Sequence, residues 1–533
     1  MCTGASAIVK CLELEGTEVI FGIPGAAICP FYNSLKESSI KHILVRNEQN
    51  AGHAASGYAR ITGKPAVCVA TSGPGALNLI TAIATAYMDS IPLIVITGQV
   101  STDLLGRDVF QEADITGSAE PFVKHSYLIK NASDIPTIFK EAFHIASTGR
   151  QGPVLIDIPV DIQRASLTFS YPTETDIRSY KPSVQGHMGQ IKRVITALKQ
   201  SKKPLLCVGG GVFSANAQKQ LLSFSQETNI PIVTTMMGLS AISPQYKQNL
   251  GMIGMYGSDF ANRSMNEADL IVLVGARVGD RAIMSPMGLS KTATIVHIDI
   301  DPAEIGKNIK TDIPIVGSID NVLKVLFDKS NTIGNKYWTE QPRSSIKTYG
   351  DKKDFIPART LLRTLMTKAQ PDACIVADVG QNQIWTAKEF AIENGRFLTS
   401  GGMGTMGYAI PCAIGASLAS PQKQVIVVCG DGGFQMAMPE LATIVANHIN
   451  IKIILMNNNR LGMVKELQDK LYGENEAVTL DGNPDFVALA SAYGIKAKRL
   501  CSLEQMNEVL DEFMQSDKSY LLECMISPDE TTL

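Results

Sequence analysis

The chain of 533 residues lacks the features that would assign it to a specialised class. It carries no excess of basic charge. The formal net charge is −3, so no electropositive field argues for nucleic acid or an anionic membrane as a partner. No apolar run approaches the ~18 residues of a membrane span. No apolar leader with a cleavage site precedes the first charged segment. The ten cysteines form no C-x-x-C pair and no zinc-like spacing, and Cys68, Cys207 and Cys429 sit inside apolar runs. Buried thiols in a reducing compartment are the expectation, and with them a cytoplasmic protein. There is no short-period repeat. Hydrophobic residues make up 45% and charged residues 19%, which excludes general disorder and leaves enough apolar surface for about three domains of ordinary size.

Strand-like and helix-like segments alternate. In residues 1–165 the β-branched runs Ala66–Ala70, Leu93–Thr97 and Val154–Ile158 read as buried strands, and Ala5–Glu15 and Ala51–Arg60 as helices. Continuous apolar strands separated by helices indicate a parallel sheet covered on both faces. The polar, proline-broken stretch Ser166–Gly186 reads as a linker. A second α/β unit, 187–329, has strands at Leu205–Val208, Ile232–Thr234, Leu270–Val274 and Thr294–Ile300. A further polar stretch, Ser330–Asp354, leads to a third unit, 355–533, with strands at Cys374–Ala377, Gln424–Cys429, Lys452–Met456 and Tyr520–Cys524. The fold class is therefore α/β, with three doubly wound parallel-sheet domains.

The sharpest local signal lies in the third unit. The strand Gln424–Cys429 runs into Gly430-Asp431-Gly432, and the strand Lys452–Met456 ends at Asn457-Asn458, with a helix expected from Pro439 to about Ala446. Asp431 and Asn458 then sit at the carboxyl ends of two strands of one βαβ unit, where open parallel sheets bind ligands. A carboxylate oxygen and an amide oxygen suit Mg²⁺, which keeps positions open for phosphate oxygens. Gly430 and Gly432 allow close backbone approach to a diphosphate. A plain strand–turn–helix with a capping aspartate explains Gly-Asp-Gly alone; the Asn-Asn at this spacing argues against it. The pattern resembles the thiamine-diphosphate signature. That resemblance implies that Asp431, the Asn458 side chain and the Arg460 carbonyl hold Mg²⁺ against the diphosphate.

Thiamine chemistry also needs a carboxyl group against the aminopyrimidine ring, poorly solvated so that its proton is shared with the ring. Arg46-Asn47-Glu48-Gln49-Asn50-Ala51-Gly52-His53 follows the strand His42–Val45 and opens a helix. An acid at a helix start is common for dipole reasons alone. Here the segment resembles the family's Glu-Gln-x-Ala-x-His stretch, with Glu48 on the activating position. In that family the two motifs come from different subunits, which implies a homodimer or homotetramer with active sites at the subunit interface. Phe21-Gly22-Ile23-Pro24-Gly25-Ala26-Ala27 and Asp157-Ile158-Pro159-Val160-Asp161 look like glyoxylate carboligase, but that enzyme is aliphatic where this chain has Glu48.

Further runs extend a resemblance to acetohydroxyacid (acetolactate) synthase catalytic subunits over nearly the whole chain. They include Thr71-Ser72-Gly73-Pro74-Gly75, Thr97-Gly98-Gln99-Val100, Phe110-Gln111-Glu112, Gly149-Arg150-Gln151-Gly152-Pro153, Asp299-Ile300-Asp301-Pro302, Ser400-Gly401-Gly402-Met403-Gly404-Thr405-Met406-Gly407 and Leu461-Gly462-Met463-Val464. The implied reaction decarboxylates pyruvate and joins the hydroxyethyl unit to a second 2-oxo acid, giving 2-acetolactate and CO₂. Another thiamine-diphosphate carboligase or decarboxylase is the alternative. The resemblance places Met406 under the bent cofactor, Gln111 and Phe110 on the substrate side, and Arg281 against the second substrate's carboxylate, a task suited to a guanidinium. It places thiamine diphosphate near Pro24, Gly25 and Asn78, near Val379, Gly380, Gln381 and Asn382, near Gly404, and near Gly433, Gly462 and Met463. It makes the middle unit an FAD domain, with Gly209-Gly210-Gly211, Gly254-Met255, Gly275, Arg277, Arg281, Asp299 and Ile300 near the flavin nucleotide and Arg150 on its diphosphate. A small regulatory subunit is a possible partner. His53 is read either as a structural or as a catalytic histidine.

Four positions depart from the family pattern. Gly279 stands for an Asp, Val160 for a Lys and Ala26 for a Gly, and the C-terminal arm after Ile526-Ser527-Pro528 is expected to be short. At the place five residues after Gly462, Leu467 stands for the Trp of biosynthetic members, so little preference for 2-oxobutyrate over pyruvate as acceptor is expected.

Overall fold

The computed structural model describes residues 1–283, 289, 293–340 and 355–532. Most of the second expected linker, 341–354, lies outside the described residues. Three six-stranded sheets, all parallel, carry the molecule. The first contains β1 Val19–Gly22, β2 Lys41–Leu44, β3 Ala66–Ala70, β4 Leu93–Gln99, β5 His125–Leu128 and β6 Val154–Pro159, in the order β2-β1-β3-β4-β6-β5. A short antiparallel pairing of Cys2–Thr3 with Ser166–Leu167 closes this unit. The middle sheet has β7 Pro204–Val208, β8 Ile232–Thr234, β9 Asn249–Met252, β10 Leu270–Val274, β11 Thr294–Asp299 and β12 Ile313–Val316, in the order β9-β8-β7-β10-β11-β12. The third has β13 Cys374–Ala377, β14 Arg396–Leu398, β15 Val425–Gly430, β16 Lys452–Asn457, β17 Lys496–Leu500 and β18 Tyr520–Met525, in the order β14-β13-β15-β16-β18-β17.

The central strands form for the reason read from the sequence. Every residue of β3, β4, β6, β7, β10 and β13 is buried, because helices cover both faces. Five strands escaped the sequence reading: β5, β9, β12, β14 and β17. All five are edge strands. An edge strand has a neighbour on one side only, so it needs no continuous apolar run; β17 reads Lys-Ala-Lys-Arg-Leu and is largely exposed. The helix expected from Pro439 to about Ala446 is present, and a separate short helix precedes it. The short helix starts at Asp431 and runs to Ala437, and a 3₁₀ turn then leads into Leu441–Ala446. Gly430 therefore ends the strand and caps a helix that opens with Asp431 and Gly432.

The first and third units share a core. The helix Glu48–Thr62 is capped by Asn47, whose side chain accepts from Gln49 N, and ends at Gly63 in a left-handed conformation. It crosses the helix Ala409–Ala419 with backbones almost touching: a Cβ on Gly415 would stand 1.8 Å from the Ala54 carbonyl oxygen, and one on Gly57 1.9 Å from that of Cys412. Ala51, Ala54, Ala55, Ala409, Ala413 and Ala416 fill the rest of the seam. Among the described residues no helix is long and apolar enough to cross a membrane.

Candidate active site

The third unit builds a cradle at the C-terminal ends of β13, β15 and β16. Asp378 ends β13 and is buried; it accepts from the backbone N–H groups of Val379 at 2.9 Å, Gly407 at 3.0 Å and Ala409 at 2.9 Å. Burial lifts its carboxyl to about 6 against those three donors. Asn382 is buried as well and donates to the carbonyls of Asp378 and Val428, which turns its Oδ1 toward Gly380 and Gly430. A Cβ on Gly433 would meet Asp378 Oδ1 at 2.6 Å, and one on Gly462 would meet Gln381 Oε1 at 2.0 Å. Gly380, at φ +137°, needs the freedom only glycine has. Met406 lies over this floor, its Cε 3.4 Å from the position of a Cβ on Gly432.

Asp431 is almost fully buried, and its Oδ2 accepts from Asn483 Nδ2 at 2.8 Å. That amide also reaches Asn459 Oδ1, and Gln435 holds Asn483 from behind. Burial raises the Asp431 carboxyl to about 6, opposed by Asn483 and by backbone N–H groups of its own turn and of Asn459. No described cation pairs with it. Asn458 bridges Gln381 Oε1 through Nδ2 at 3.2 Å, and its Oδ1 accepts from Arg460 N at 3.1 Å. Arg460 is held by a bridge to Thr479, and its carbonyl accepts no hydrogen bond from a described residue. The donors expected of these three residues are a carboxylate, an amide oxygen and a carbonyl, an oxygen-only set that suits Mg²⁺ rather than zinc. No group of three His, Cys, Asp or Glu suited to a metal occurs among the described residues, as expected of a set with a single carboxylate.

The segment after β18 lies along the rim. Gln381 Nε2 donates to the Glu530 carbonyl, Trp385 Nε1 to that of Thr531, and the Thr532 N–H to the Glu466 carboxylate. A cavity of about 420 Å³ remains between this strap and Gln381, Gly462, Lys465 and Glu466.

The first unit places its residues at the same edge of its own sheet, beyond β1, β2 and β3. Glu48 is half-buried at the first turn of its helix, and Asn78 Nδ2 donates to its Oε2 at 2.9 Å. Gly75 packs beside Glu48 Oε1, and Gly25 packs on Thr71. Pro24 and Asn78 are exposed. Gln111 adopts φ +58° and its backbone lies against Gly73. Its neighbour Phe110 is 86% exposed, which leaves a large ring with nothing to cover it in one chain. Arg46 N and Asn50 Nδ2 both donate to Glu440 of the third unit, while Glu48 itself bonds to Asn78 and packs beside Gly75 within the first. His53 is fully buried, its ring 5.2 Å from that of Tyr408, and neither ring nitrogen has a partner. Burial lowers it to about 3, which favours the neutral ring.

In the middle unit, a Cβ on Gly209 would meet the Gly275 carbonyl oxygen at 2.2 Å, and one on Gly211 the Gly275 Cα at 2.9 Å. These turns pack closely against each other, and of the three glycines Gly210 is the least crowded. Arg150 is also committed. Its guanidinium donates to Ser90, to the Tyr87 carbonyl, and to Asp301 and Glu304 at 3.3 and 3.1 Å, tying the first unit to the middle one. Four of its five N–H donors are engaged in this way. Arg277 is half-exposed, and Gly279 has open space around it. Asp299 ends β11 nearly buried, lifted to about 6 by burial, with Ile300 beside it. Gly254, at φ +108°, packs on the Arg281 carbonyl, and the exposed Arg281 side chain reaches Met255 Sδ at 3.3 Å. Tyr256 then donates to Met463 Sδ at 3.4 Å, so this corner abuts the cradle.

Asp378, Asn483, Gln435 and Glu466 are parts of the site that the sequence reading missed. Asp378 directly precedes the expected Val379-Gly380 turn at a strand end, a position that could have revealed it; Asn483 lies in a polar loop with no local signal.

Comparison with known proteins gives three family matches: the N-terminal TPP binding domain of thiamine pyrophosphate enzymes over residues 2–118, their central domain over 191–326 and their C-terminal TPP binding domain over 378–524. Among curated relatives, the probable acetolactate synthase large subunit of Methanococcus aeolicus is 42% identical across 98% of this chain and 92% of its own length. An acetolactate synthase of Mycobacterium bovis is 43% identical across 96% and 85%. The acetolactate synthase large subunit of Haemophilus influenzae is 41% identical across 99% and 95%.

Proposed function

The chain belongs to the thiamine pyrophosphate enzymes, within the group of the acetolactate synthase large subunits, and from that premise we propose how its own residues carry the synthase reaction. The reaction releases CO₂ from pyruvate and joins the remaining hydroxyethyl unit to the carbonyl carbon of a second 2-oxo acid, mainly pyruvate, giving 2-acetolactate. The observation that carries the reading is the cradle around Asp431, roofed by Met406.

Thiamine diphosphate supplies, when bound, a carbon centre that accepts the electrons of the breaking bond to CO₂. Asp431, Asn458 Oδ1 and the Arg460 carbonyl would hold Mg²⁺, and the oxygen-only set fits it. Gly380, Gly430 and Gly432 leave room for a diphosphate beside Asn382 and Gln381. Met406 would pack against the bound cofactor from the loop above Gly432. Glu48 holds a proton at Oε1 or Oε2 against the aminopyrimidine ring, steered by Asn78. Gln111 and Phe110 line the substrate side, and Arg281 pairs with the carboxylate of the second substrate.

The uncovered Phe110, together with the helix Gly462–Tyr472, which has no buried residue and exposes Val464, Leu467 and Leu471, supports a homodimer or homotetramer whose active sites lie at the interface. The relatives' designation as large subunits supports a small regulatory partner. The three domains are taken as 1–165, 187–329 and 355–533. For FAD the middle strand order, which reads 3-2-1-4-5-6 within the unit, fits a dinucleotide domain. Arg150 is engaged with Ser90, Tyr87, Asp301 and Glu304, and no step is assigned to a flavin.

The test is acetoin colorimetry after acid treatment of a reaction of pyruvate with thiamine diphosphate and Mg²⁺. Acetolactate is expected. A protein that leaves pyruvate untouched and consumes glyoxylate or sulfoacetaldehyde instead would overturn the reading. With pyruvate and 2-oxobutyrate competing at equal concentration, the smaller wall at Leu467 predicts a product ratio within about tenfold of unity.

A further inference from the structure

The loop Gly401–Met406 delivers Met406 to the cradle, yet two of its anchors belong to the first unit. Asp89 closes the helix Ile80–Asp89, and its side chain is fully buried. Its Oδ1 accepts from Gly402 N at 2.8 Å and its Oδ2 from Gly401 N at 3.2 Å. Arg60 Nη2 pairs with Oδ2 at 2.6 Å and is itself nearly buried. One helical turn earlier, Thr85 shares a hydrogen bond of 2.7 Å with Thr405 through their hydroxyls. Residues four apart lie on the same helix face, so Thr85 and Asp89 grip the loop at both ends of its approach. On the other side of Met406, Asp378 holds Gly407 N. The channel is narrow: a Cβ on Gly402 would meet Met88 Cβ at 2.9 Å and Asp89 Oδ1 at 3.0 Å.

A buried carboxylate costs much unless it is paired and hydrogen-bonded, and here its donors are one guanidinium and two backbone amides of a loop from another unit. The Arg60 pair alone would satisfy the charge; the two loop amides fix where the loop runs. We propose that Asp89, supported by Thr85 and Arg60, is a positioning residue that sets the height of Met406 over the cofactor floor. This rests on the role given to Met406 above. Asp89 touches neither cofactor nor substrate and acts only through the loop.

Asp89→Asn tests it, because asparagine keeps the shape but loses the charge and presents a donor to one of the three donors. Thr85→Val is a second variant that keeps volume and removes the hydroxyl. Amide hydrogen exchange of the peptide containing 401–407 is measured in cofactor-free protein, beside kcat and KM for pyruvate in the loaded enzyme. Loss of a charge-assisted bond predicts roughly 10–100-fold faster exchange in that loop in Asp89→Asn, with the helix Ala409–Ala419 unchanged. It also predicts a lower kcat at a pyruvate KM within about twofold of wild type, the pattern of a lost alignment rather than lost binding. Thr85→Val is expected to move both readouts in the same direction by less. Unchanged loop exchange, or faster exchange with unchanged kcat, overturns the proposal. Met406→Ala separates the two readings. If it keeps full kcat, the role of Met406 falls; if it is impaired while Asp89→Asn is not, only the role of Asp89 falls.

Discussion

Numbered within each unit, the strands of the first and third sheets run in the same 2-1-3-4-6-5 order, and both units carry their chemistry beyond the carboxyl ends of those strands. They finish that edge in opposite ways. In the third unit Asp378, Asn382 and Asp431 are buried, and each is tied to groups of its own unit. In the first unit Asn78 and Phe110 are exposed, and Glu48 is half-buried with Asn78 as its side-chain partner. Topology dictates where a ligand can lie. The degree of closure then distinguishes an edge that holds a ligand by itself from one that offers a reactive group to something outside it. The middle unit sharpens the contrast. It has the dinucleotide strand order, and its glycine turns are packed closely on each other.

The largest effect expected from this division is on Glu48. If the first unit supplies the proton and the third holds the cofactor, Glu48→Gln should lower kcat by at least ~10²-fold, in line with removal of a general acid–base group. Cofactor affinity measured by calorimetry should change little, and circular dichroism should show an intact fold. A variant with wild-type kcat would break the division at its first half.

The complementary change is Asp431→Ala. Outer-shell substitutions around bound metals already cost ~10–100-fold in affinity, and loss of a ligand should cost at least that much in the apparent affinity for thiamine diphosphate with Mg²⁺. Asn483→Ala, which removes the amide that orients Asp431, should fall within the outer-shell range. Isothermal titration with cofactor and metal measures both. Equal affinities in wild type and Asp431→Ala would show that the closed edge does not hold the diphosphate through a metal.

What the sequence disclosed follows the same physics. Strands buried on both faces must be apolar throughout, so β3, β4, β6, β7, β10 and β13 announced themselves within a residue or two, while the edge strands did not. Motif runs proved to be contacts: Thr97 and Gln99 of one run both donate to Asp157 of another, at 2.7 and 2.9 Å across neighbouring strand ends. Asp431 and Asn458 were legible because a strand end fixes their location. Asn483 and Asp89 were not, since each acts on a segment far away in the chain and has no local pattern. The inter-unit contacts of Arg150 were not legible for a related reason. Its motif is local, but its partners Asp301 and Glu304 lie in the next unit. Phe110 and Leu467 are exposed side chains in the single chain, so the structure of one chain adds little to what the sequence said of them.

The smallest effect concerns the seam that joins the two compared units. His53 sits in it without a hydrogen-bond partner, and burial lowers its pKa from 6.5 to about 3. In the unfolded chain the same imidazole titrates near its ordinary value. Below pH 6.5 the unfolded state therefore binds a proton that the folded state refuses, and stability falls as pH falls, at up to about 1.4 kcal/mol per pH unit until the folded value is reached. Above 6.5 the group contributes no slope. His53→Leu removes this dependence while keeping an apolar side chain against Tyr408 and the small-residue crossing. Other carboxylates and histidines titrate in both proteins alike, so the difference between the two isolates His53. Between about pH 7.5 and pH 5 the variant should gain roughly 2 kcal/mol on the wild type, read from denaturant midpoints at each pH. If both proteins lose the same stability on acidification, the imidazole is reached by protons in the folded chain. The seam would then be as open as the first unit's edge, and the contrast between a closed interior and an open rim would not extend to it.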